Sequence, residues 1–130
     1  MIRKTVLTLV LLSSAIFALD WEKSLEDALA KAQSEHKNVM VMVEGKHCRW
    51  CKKMKGRTLS DEGIEKRLQE YVVVKVMRED GNAMAKLPPV DGVPTIFFMK
   101  PNKAVIQEVL GYEDVTDFNA TLNGVQKRLK

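Results

Sequence analysis

Two cysteines, Cys48 and Cys51, follow an apolar run at the predicted start of a helix, and this junction constrains the fold more than any other stretch. The run Val39–Val43 is continuous and apolar, which is typical of a strand buried on both faces. Gly45 interrupts it before the cysteines. Residues i and i+3 share one face of a helix, so the two sulfurs can bond with little backbone movement. The positive end of the helix dipole would favour a thiolate at Cys48, and the junction therefore predicts dithiol chemistry.

Three other roles for the cysteine pair are less favoured. A structural staple over so short a loop removes only about 2 kcal/mol of unfolded-state entropy. His47, Cys48 and Cys51 are three possible zinc ligands, but a structural zinc site requires four. His36 is the only other histidine in the sequence. Covalent haem requires a histidine after the second cysteine, where Lys52 stands. We therefore predict a redox dithiol and no metal site.

The amino-terminal residues have the pattern of a secretory signal. A basic start with Arg3 and Lys4 precedes the apolar stretch Thr5–Phe17, and small residues lead to Ala18. We predict a signal peptide over residues 1–18, cleaved after Ala18, with an uncleaved anchor as the alternative. Residues 19–130 form one predicted domain. Export places this domain in the periplasm or outside the cell, where disulfides form and persist.

Composition and net charge limit the kinds of molecule that the protein is expected to bind. Hydrophobic residues make up 45% of the chain, as in globular proteins. The formal net charge of +4 includes Arg3 and Lys4, so it falls to about +2 after the predicted cleavage. That charge is too small to indicate nucleic-acid binding.

Hydrophobic periodicity predicts an alternation of helices and strands. The predicted elements are a helix capped by Ser24 that runs to about His36, strand Val39–Val43, helix Trp50–Gly56, a helical stretch from Ser60, strand Val72–Val76, helical turns in Ala83–Leu87, a strand ending at Met99, strand Ala104–Leu110 and a final helix capped by Thr116. A strand–helix–strand crossover makes the first two strands parallel neighbours. The last two strands form a hairpin, which gives an α/β fold whose mixed central sheet carries helices on both faces.

This element order, the Cys-x-x-Cys junction and the segment Val93-Pro94-Thr95 resemble the thioredoxin superfamily, and most closely its small secreted bacterial members. The resemblance covers nearly all of residues 19–130 and implies a three-layer thioredoxin-like fold. It implies that Cys48 is the nucleophile and that Cys51 resolves the mixed disulfide. It also implies a cis peptide bond at Val93–Pro94 that faces the cysteines, and a Val93 backbone that pairs with the substrate.

The sequence departs from the family pattern at two places. The buried acid usual six residues before the first cysteine is Met42 here, and the tryptophan usual just before that cysteine is His47. Glu44 shares the strand parity of Met42, so it is a candidate supporting acid, with a solvated strand-end acid as the alternative. Lys75 falls at the interior position where thioredoxins often carry a lysine.

The residues around the cysteines are bulky and basic. Trp50 is predicted to be an exposed apolar platform for the substrate, with simple packing as the alternative. Arg49 lies between the cysteines, and the segment from residue 46 to 57 holds six Lys or Arg residues and no acid. Nearby positive charge stabilises a thiolate. We therefore predict a reduction potential above the value of about −270 mV that is typical of cytosolic thioredoxin.

The sequence as a whole predicts a secreted, periplasmic thiol–disulfide oxidoreductase that reduces or exchanges protein disulfides without an organic cofactor. Its expected partners are protein disulfides or thiols and a membrane-bound redox protein, and a monomer is expected. The alternative is a non-catalytic module of the same fold that binds peptides and uses the cysteines only as a structural disulfide.

Overall fold

A computed structural model of the protein describes residues 18–130. The predicted signal peptide, apart from Ala18, lies outside the described residues. Within residues 18–130, no helix has the length and apolar character needed to cross a membrane.

The described chain forms one mixed five-stranded sheet with helices on both faces. The elements are β1 Trp21–Glu22, α1 Leu25–Glu35, β2 Asn38–Glu44, α2 Arg49–Lys53, a π-helical segment Met54–Thr58, α3 Glu62–Leu68, β3 Tyr71–Met77, α4 Gly81–Met84, β4 Thr95–Met99, β5 Val105–Leu110 and α5 Val115–Arg128. The strand order is β1-β3-β2-β4-β5. β3 is parallel to β1 and β2, whereas β4 is antiparallel to β2 and β5. This confirms the predicted three-layer α/β fold.

The alternation of side chains along β2 divides the core into two clusters. Met40 and Met42 point to the face that holds the cysteines and helices α3 and α5. Val39, Val41 and Val43 point to the opposite face, where they pack against α1. Because both faces are covered, every residue from Val39 to Glu44 is buried. This explains why the strand has a continuous apolar run instead of an alternating pattern.

Side-chain caps define the two long helices. Ser24 caps α1 and accepts a hydrogen bond from the Asp27 amide at 3.1 Å, as predicted. The prediction that Thr116 caps the last helix is wrong. Asp114 is the cap and accepts from the Asp117 amide at 2.8 Å. A carboxylate suits the positive end of a helix, so α5 begins at Val115.

Two other differences from the predicted elements have local causes. β1 was not predicted because two residues are too short for a hydrophobic pattern; Trp21 pairs with Val73 of β3. The predicted helix Trp50–Gly56 is divided into α2 and the π-helical segment. The Leu59 amide donates to the Met54 carbonyl at 2.9 Å, a bond that spans five residues.

Phe98 gives a test of the core beneath the cysteines. It is fully buried, with its ring centroid 5.4 Å from Tyr71 and 6.2 Å from Phe118. We expect Phe98→Ala to lower the free energy of unfolding by about 3–5 kcal/mol, measured by urea denaturation. Leu110→Ala is the control, because Leu110 is 59% exposed and its loss should change stability by less than about 0.5 kcal/mol. Equal effects of the two variants would contradict this packing.

Candidate active site

Cys48 and Cys51 form a disulfide at the amino end of α2. Cys48 has an extended backbone and is the N-cap of the helix, whereas Cys51 lies in its first turn. The Cys51 amide donates a hydrogen bond to Cys48 Sγ at 3.1 Å. The two Cα atoms are 5.2 Å apart, a usual disulfide separation. An amide that already points at Cys48 Sγ would stabilise negative charge on that sulfur.

The two cysteines differ in exposure. Cys48 is 9% exposed and Cys51 only 1%. Cys48 is therefore the cysteine that a partner can reach more readily. The roles of nucleophile and resolving thiol remain predictions. His47 is exposed beside Cys48. Among residues 18–130, no three His, Cys, Asp or Glu side chains are grouped as metal ligands.

The loop before β4 lies against the loop that carries the cysteines. The Val93–Pro94 bond is cis, as the resemblance implies. A Cβ atom on Gly45 would lie 3.4 Å from Val93 Cγ2, so a small residue here lets the two loops approach. The Gly111 amide donates to the Pro94 carbonyl at 2.8 Å, and Gly111 has a φ of 94°, which favours glycine. These contacts fix Pro94 beside the strand end that leads to Cys48.

Trp50 is exposed and packs in a tilted contact against an aromatic residue that the sequence analysis did not identify. It is 45% exposed, and its ring centroid is 5.6 Å from that of Tyr112. Together with Val93, Pro94 and Gly111, the two rings line a shallow depression, and Trp50 links it to the disulfide because it lies between the two cysteines in the chain. The predicted platform is therefore present, and its role in binding remains a prediction. Tyr112 follows β5 in a loop without periodicity, so no sequence signal placed it here.

Glu113 anchors the loop that carries Tyr112. Its carbonyl accepts a hydrogen bond from Thr58 Oγ1 at 2.6 Å, and the Thr121 hydroxyl donates to its carboxylate at 2.8 Å. Burial raises the pKa of Glu113 above its usual value, and the Thr121 hydrogen bond partly offsets this rise. These bonds turn the Glu113 carboxylate toward α5.

Glu44 is an interior acid, so the alternative of a solvated strand-end acid is wrong. It ends β2 on the same sheet face as Met42, and it is buried. Lys55 Nζ donates to Glu44 Oε1 at 2.7 Å. Glu44 Oε2 is buried and has no hydrogen-bond partner among the described residues. Lys55 lies four residues after Cys51 in the π-helical segment, so this ion pair joins the end of β2 to the continuation of α2, about one turn beyond the disulfide.

Lys75 does not occupy an interior position, so that prediction is wrong. Its residue partner in the β2–β3 ladder is Met42, which offers no carboxylate. Because an unpaired ammonium is costly to bury, the side chain extends outward and is exposed. Lys75 Nζ lies 5.0 Å from the ring centroid of Trp21 in β1.

The fold is α/β, with a mixed sheet that helices cover on both faces. A Cys-x-x-Cys disulfide at the start of α2 gives it a thiol–disulfide centre. The thioredoxin-like family model matches residues 20–101, and the chain belongs to this family. The match includes both cysteines and Val93–Pro94, and it confirms the resemblance to the thioredoxin superfamily.

Three known proteins illustrate the similarity. A thioredoxin from Thermus thermophilus superposes with a TM-score of 0.71 at 27% identity, over 83% of this chain and 87% of that one. The oxidised DsbD C-terminal domain of Neisseria meningitidis gives a TM-score of 0.64 at 19% identity, over 85% and 99% of the two chains, and shares the fold alone. Anterior gradient protein 2-B of Xenopus laevis is 27% identical over 95 residues, which are 72% of this chain and only 56% of that protein.

The Glu44–Lys55 pair predicts an asymmetry between two substitutions. Lys55→Met leaves a buried carboxylate without its cation, so we expect it to lower the free energy of unfolding by about 2–3 kcal/mol in urea. Glu44→Gln should cost less, because its amide is neutral and the partly exposed Lys55 can turn toward water. Lys31→Met is the matched control, since it removes a more exposed pair with Glu22 and should cost less than about 1 kcal/mol. A larger loss for Glu44→Gln than for Lys55→Met would contradict the interior placement of the acid.

Proposed function

We propose that this protein is a periplasmic or secreted thiol–disulfide oxidoreductase that reduces or exchanges disulfides in proteins. The disulfide at the start of α2 carries this proposal. Its outer sulfur belongs to Cys48, which receives the Cys51 amide hydrogen bond. The cis Val93–Pro94 bond and Trp50, which lies between the two cysteines in the chain, share one depression, and this supports a role in binding a substrate chain.

The proposed reaction begins with the reduced protein. The Cys48 thiolate attacks one sulfur of the substrate disulfide, so a Cys48–substrate bond forms and the other substrate sulfur leaves as a thiolate. Cys51, deprotonated, then attacks Cys48 Sγ and releases the second substrate thiolate. Two electrons have passed to the substrate, and the Cys48–Cys51 disulfide is restored. A dithiol donor must then reduce the protein for another cycle.

Surrounding residues take supporting roles in this proposal. The Val93 backbone and the Pro94 ring hold the substrate chain beside Cys48, and Trp50 supplies apolar contact. Glu44 is the candidate acceptor for the Cys51 proton, because it is a buried carboxylate on the cysteine side of the sheet with one oxygen unpaired among the described residues. Lys75 is exposed on β3, and we assign it no part in the reaction.

The cellular setting is part of the proposal. The signal pattern over residues 1–18 supports export. An oxidising compartment would keep the disulfide formed, so a reductase there needs electrons from a membrane-bound redox partner. We propose that the exported domain works as a monomer. The other candidate, a peptide-binding module with a structural disulfide, shares the depression at Trp50 and differs in having no turnover.

Reduction of insulin by dithiothreitol tests the oxidoreductase. The wild-type protein should accelerate the precipitation of reduced insulin, and Cys48→Ser should abolish the acceleration because the attacking sulfur is lost. Cys51→Ser should also stop turnover but accumulate a mixed disulfide with the substrate through Cys48, detectable by mass spectrometry. Activity retained by Cys48→Ser would contradict the mechanism and favour the binding module.

Arg49 should set the redox poise of the disulfide. Its positive charge stabilises the thiolate and hence the reduced form, so equilibration with glutathione should give a potential above about −270 mV. Arg49→Glu should lower the potential by on the order of 30 mV, the shift produced by about 1.4 kcal/mol of lost stabilisation. Lys127→Glu, at the far end of α5, makes the same charge change and should leave the potential unaltered. Equal shifts in both variants would show that net charge, and not the position of Arg49, sets the potential.

A further inference from the structure

Most of the basic residues near the disulfide form no salt bridge among the described residues. The segment from residue 46 to 57 holds six basic residues and no acid, and Lys55 alone among them forms a salt bridge within residues 18–130. The aromatic rings of Trp50 and Tyr112 lie among the basic residues that form no salt bridge. We call this the aromatic–cationic surface, and it consists of Arg49, Trp50, Lys52, Lys53, Arg57 and Tyr112.

The two rings hold one of these cations in place. Lys53 Nζ lies 4.7 Å from the ring centroid of Trp50 and 4.8 Å from that of Tyr112. The Arg49 guanidinium carbon is 5.5 Å from the Trp50 centroid. Cation–π contact orients a charge but does not neutralise it. The surface therefore keeps its positive potential next to Cys48.

The acids that follow Tyr112 in the chain are engaged elsewhere. The Glu113 carboxylate accepts hydrogen bonds from Thr121, and the Asp114 carboxylate caps α5. Neither forms a salt bridge with a cation of the aromatic–cationic surface. An anion that would complement this surface must come from another molecule.

We propose that the aromatic–cationic surface selects protein substrates whose disulfide cysteine is flanked by acidic residues. The inference rests on the proposed function, because the occupant must present a disulfide to Cys48. Trp50 and Tyr112 cover the apolar part of the substrate chain, while Lys53 and Arg57 attract its carboxylates. A surface of one charge sign can raise association rates by about 10–10³-fold, and the effect falls steeply with salt.

Three peptides with one internal disulfide test this selection. They are identical except for flanking pairs of Glu, Gln or Lys. Pre-reduced protein is mixed with each peptide, the reaction is quenched with acid and alkylated, and mass spectrometry gives the rate constant. Each value is divided by the rate constant for dithiothreitol in 1 M salt, where the charge of its reacting thiolate is screened, so that the quotient corrects for the intrinsic reactivity of each disulfide.

The wild-type protein should reduce the Glu peptide at least about tenfold faster than the Lys peptide at low salt, and the ratio should approach one in 1 M salt. The double variant Lys53→Glu, Arg57→Glu should bring the low-salt ratio to one or below. The double variant Lys127→Glu, Arg128→Glu is the matched control, because it makes the same change in net charge in the last turn of α5, and it should keep the wild-type ratio. α5 has 14 residues, so its last turn lies about 20 Å along the helix from the end near Tyr112.

Other outcomes would overturn the selection. Wild-type rate constants equal within about twofold for the three peptides, with insulin still reduced, would remove the substrate preference and leave the proposed function standing. An equal fall for all three peptides in the double variant would show that the charges act on the sulfur and not on the substrate. If no peptide is reduced faster than by Cys48→Ser, the proposed function fails as well. The salt dependence of the wild-type ratio decides the question even if the double variant does not fold.

An anionic membrane is the competing occupant. Sedimentation with vesicles of phosphatidylglycerol measures it directly. Binding to these vesicles that the double variant loses, together with equal peptide rate constants, would assign the aromatic–cationic surface to lipid and overturn the proposal.

Discussion

Hydrogen bonding on both edges of β2 determines where the disulfide lies. β2 pairs with β3 over residues Asn38–Glu44 and with β4 over Val39–Val43. Its buried side chains prevent a shift in register, because a one-residue slip would exchange the two faces of the core. The chain must therefore leave the sheet at Glu44, and the short loop that follows brings Cys48 to the start of α2. The Cys51 amide can then contact Cys48 Sγ without any further element to support it.

The buried acid of this domain does not lie at the position that the thioredoxin pattern implies. At the usual position of the buried acid stands Met42, and its ladder partner Lys75 has turned outward. A carboxylate is present two residues later, at Glu44, where Lys55 from the π-helical segment after α2 pairs with it. The acid thus lies on the cysteine side of the sheet. Its cation comes from the π-helical segment after α2 and not from β3. Lys55 therefore ties the end of β2 to the segment that follows the cysteines.

The sequence predicted those features that depend on local pattern. The buried strand, the cysteine junction and the Ser24 cap follow from residues close in the chain, and the structure contains them. Contacts between distant residues were not predictable in this way. Tyr112 reaches Trp50 across more than sixty positions because Thr58 holds the Glu113 carbonyl, and a loop residue carries no periodic signal. The burial of Glu44 could not be predicted for the same reason, because it depends on the contact between Lys55 and the Glu44 carboxylate.

The basic residues near the disulfide have two separable effects. Arg49 lies between the cysteines, so its charge acts on the energy of the Cys48 thiolate at short range, where salt screens weakly. Lys53 is held over Trp50 and Tyr112, and its charge is directed to the region a substrate chain would cross before its disulfide reaches Cys48. The first effect changes the redox equilibrium equally for every substrate. The second changes the encounter rate and depends on the charge of the partner. A single run of basic residues can therefore tune redox poise through one position and substrate choice through others, because the helix distributes them around the same sulfur.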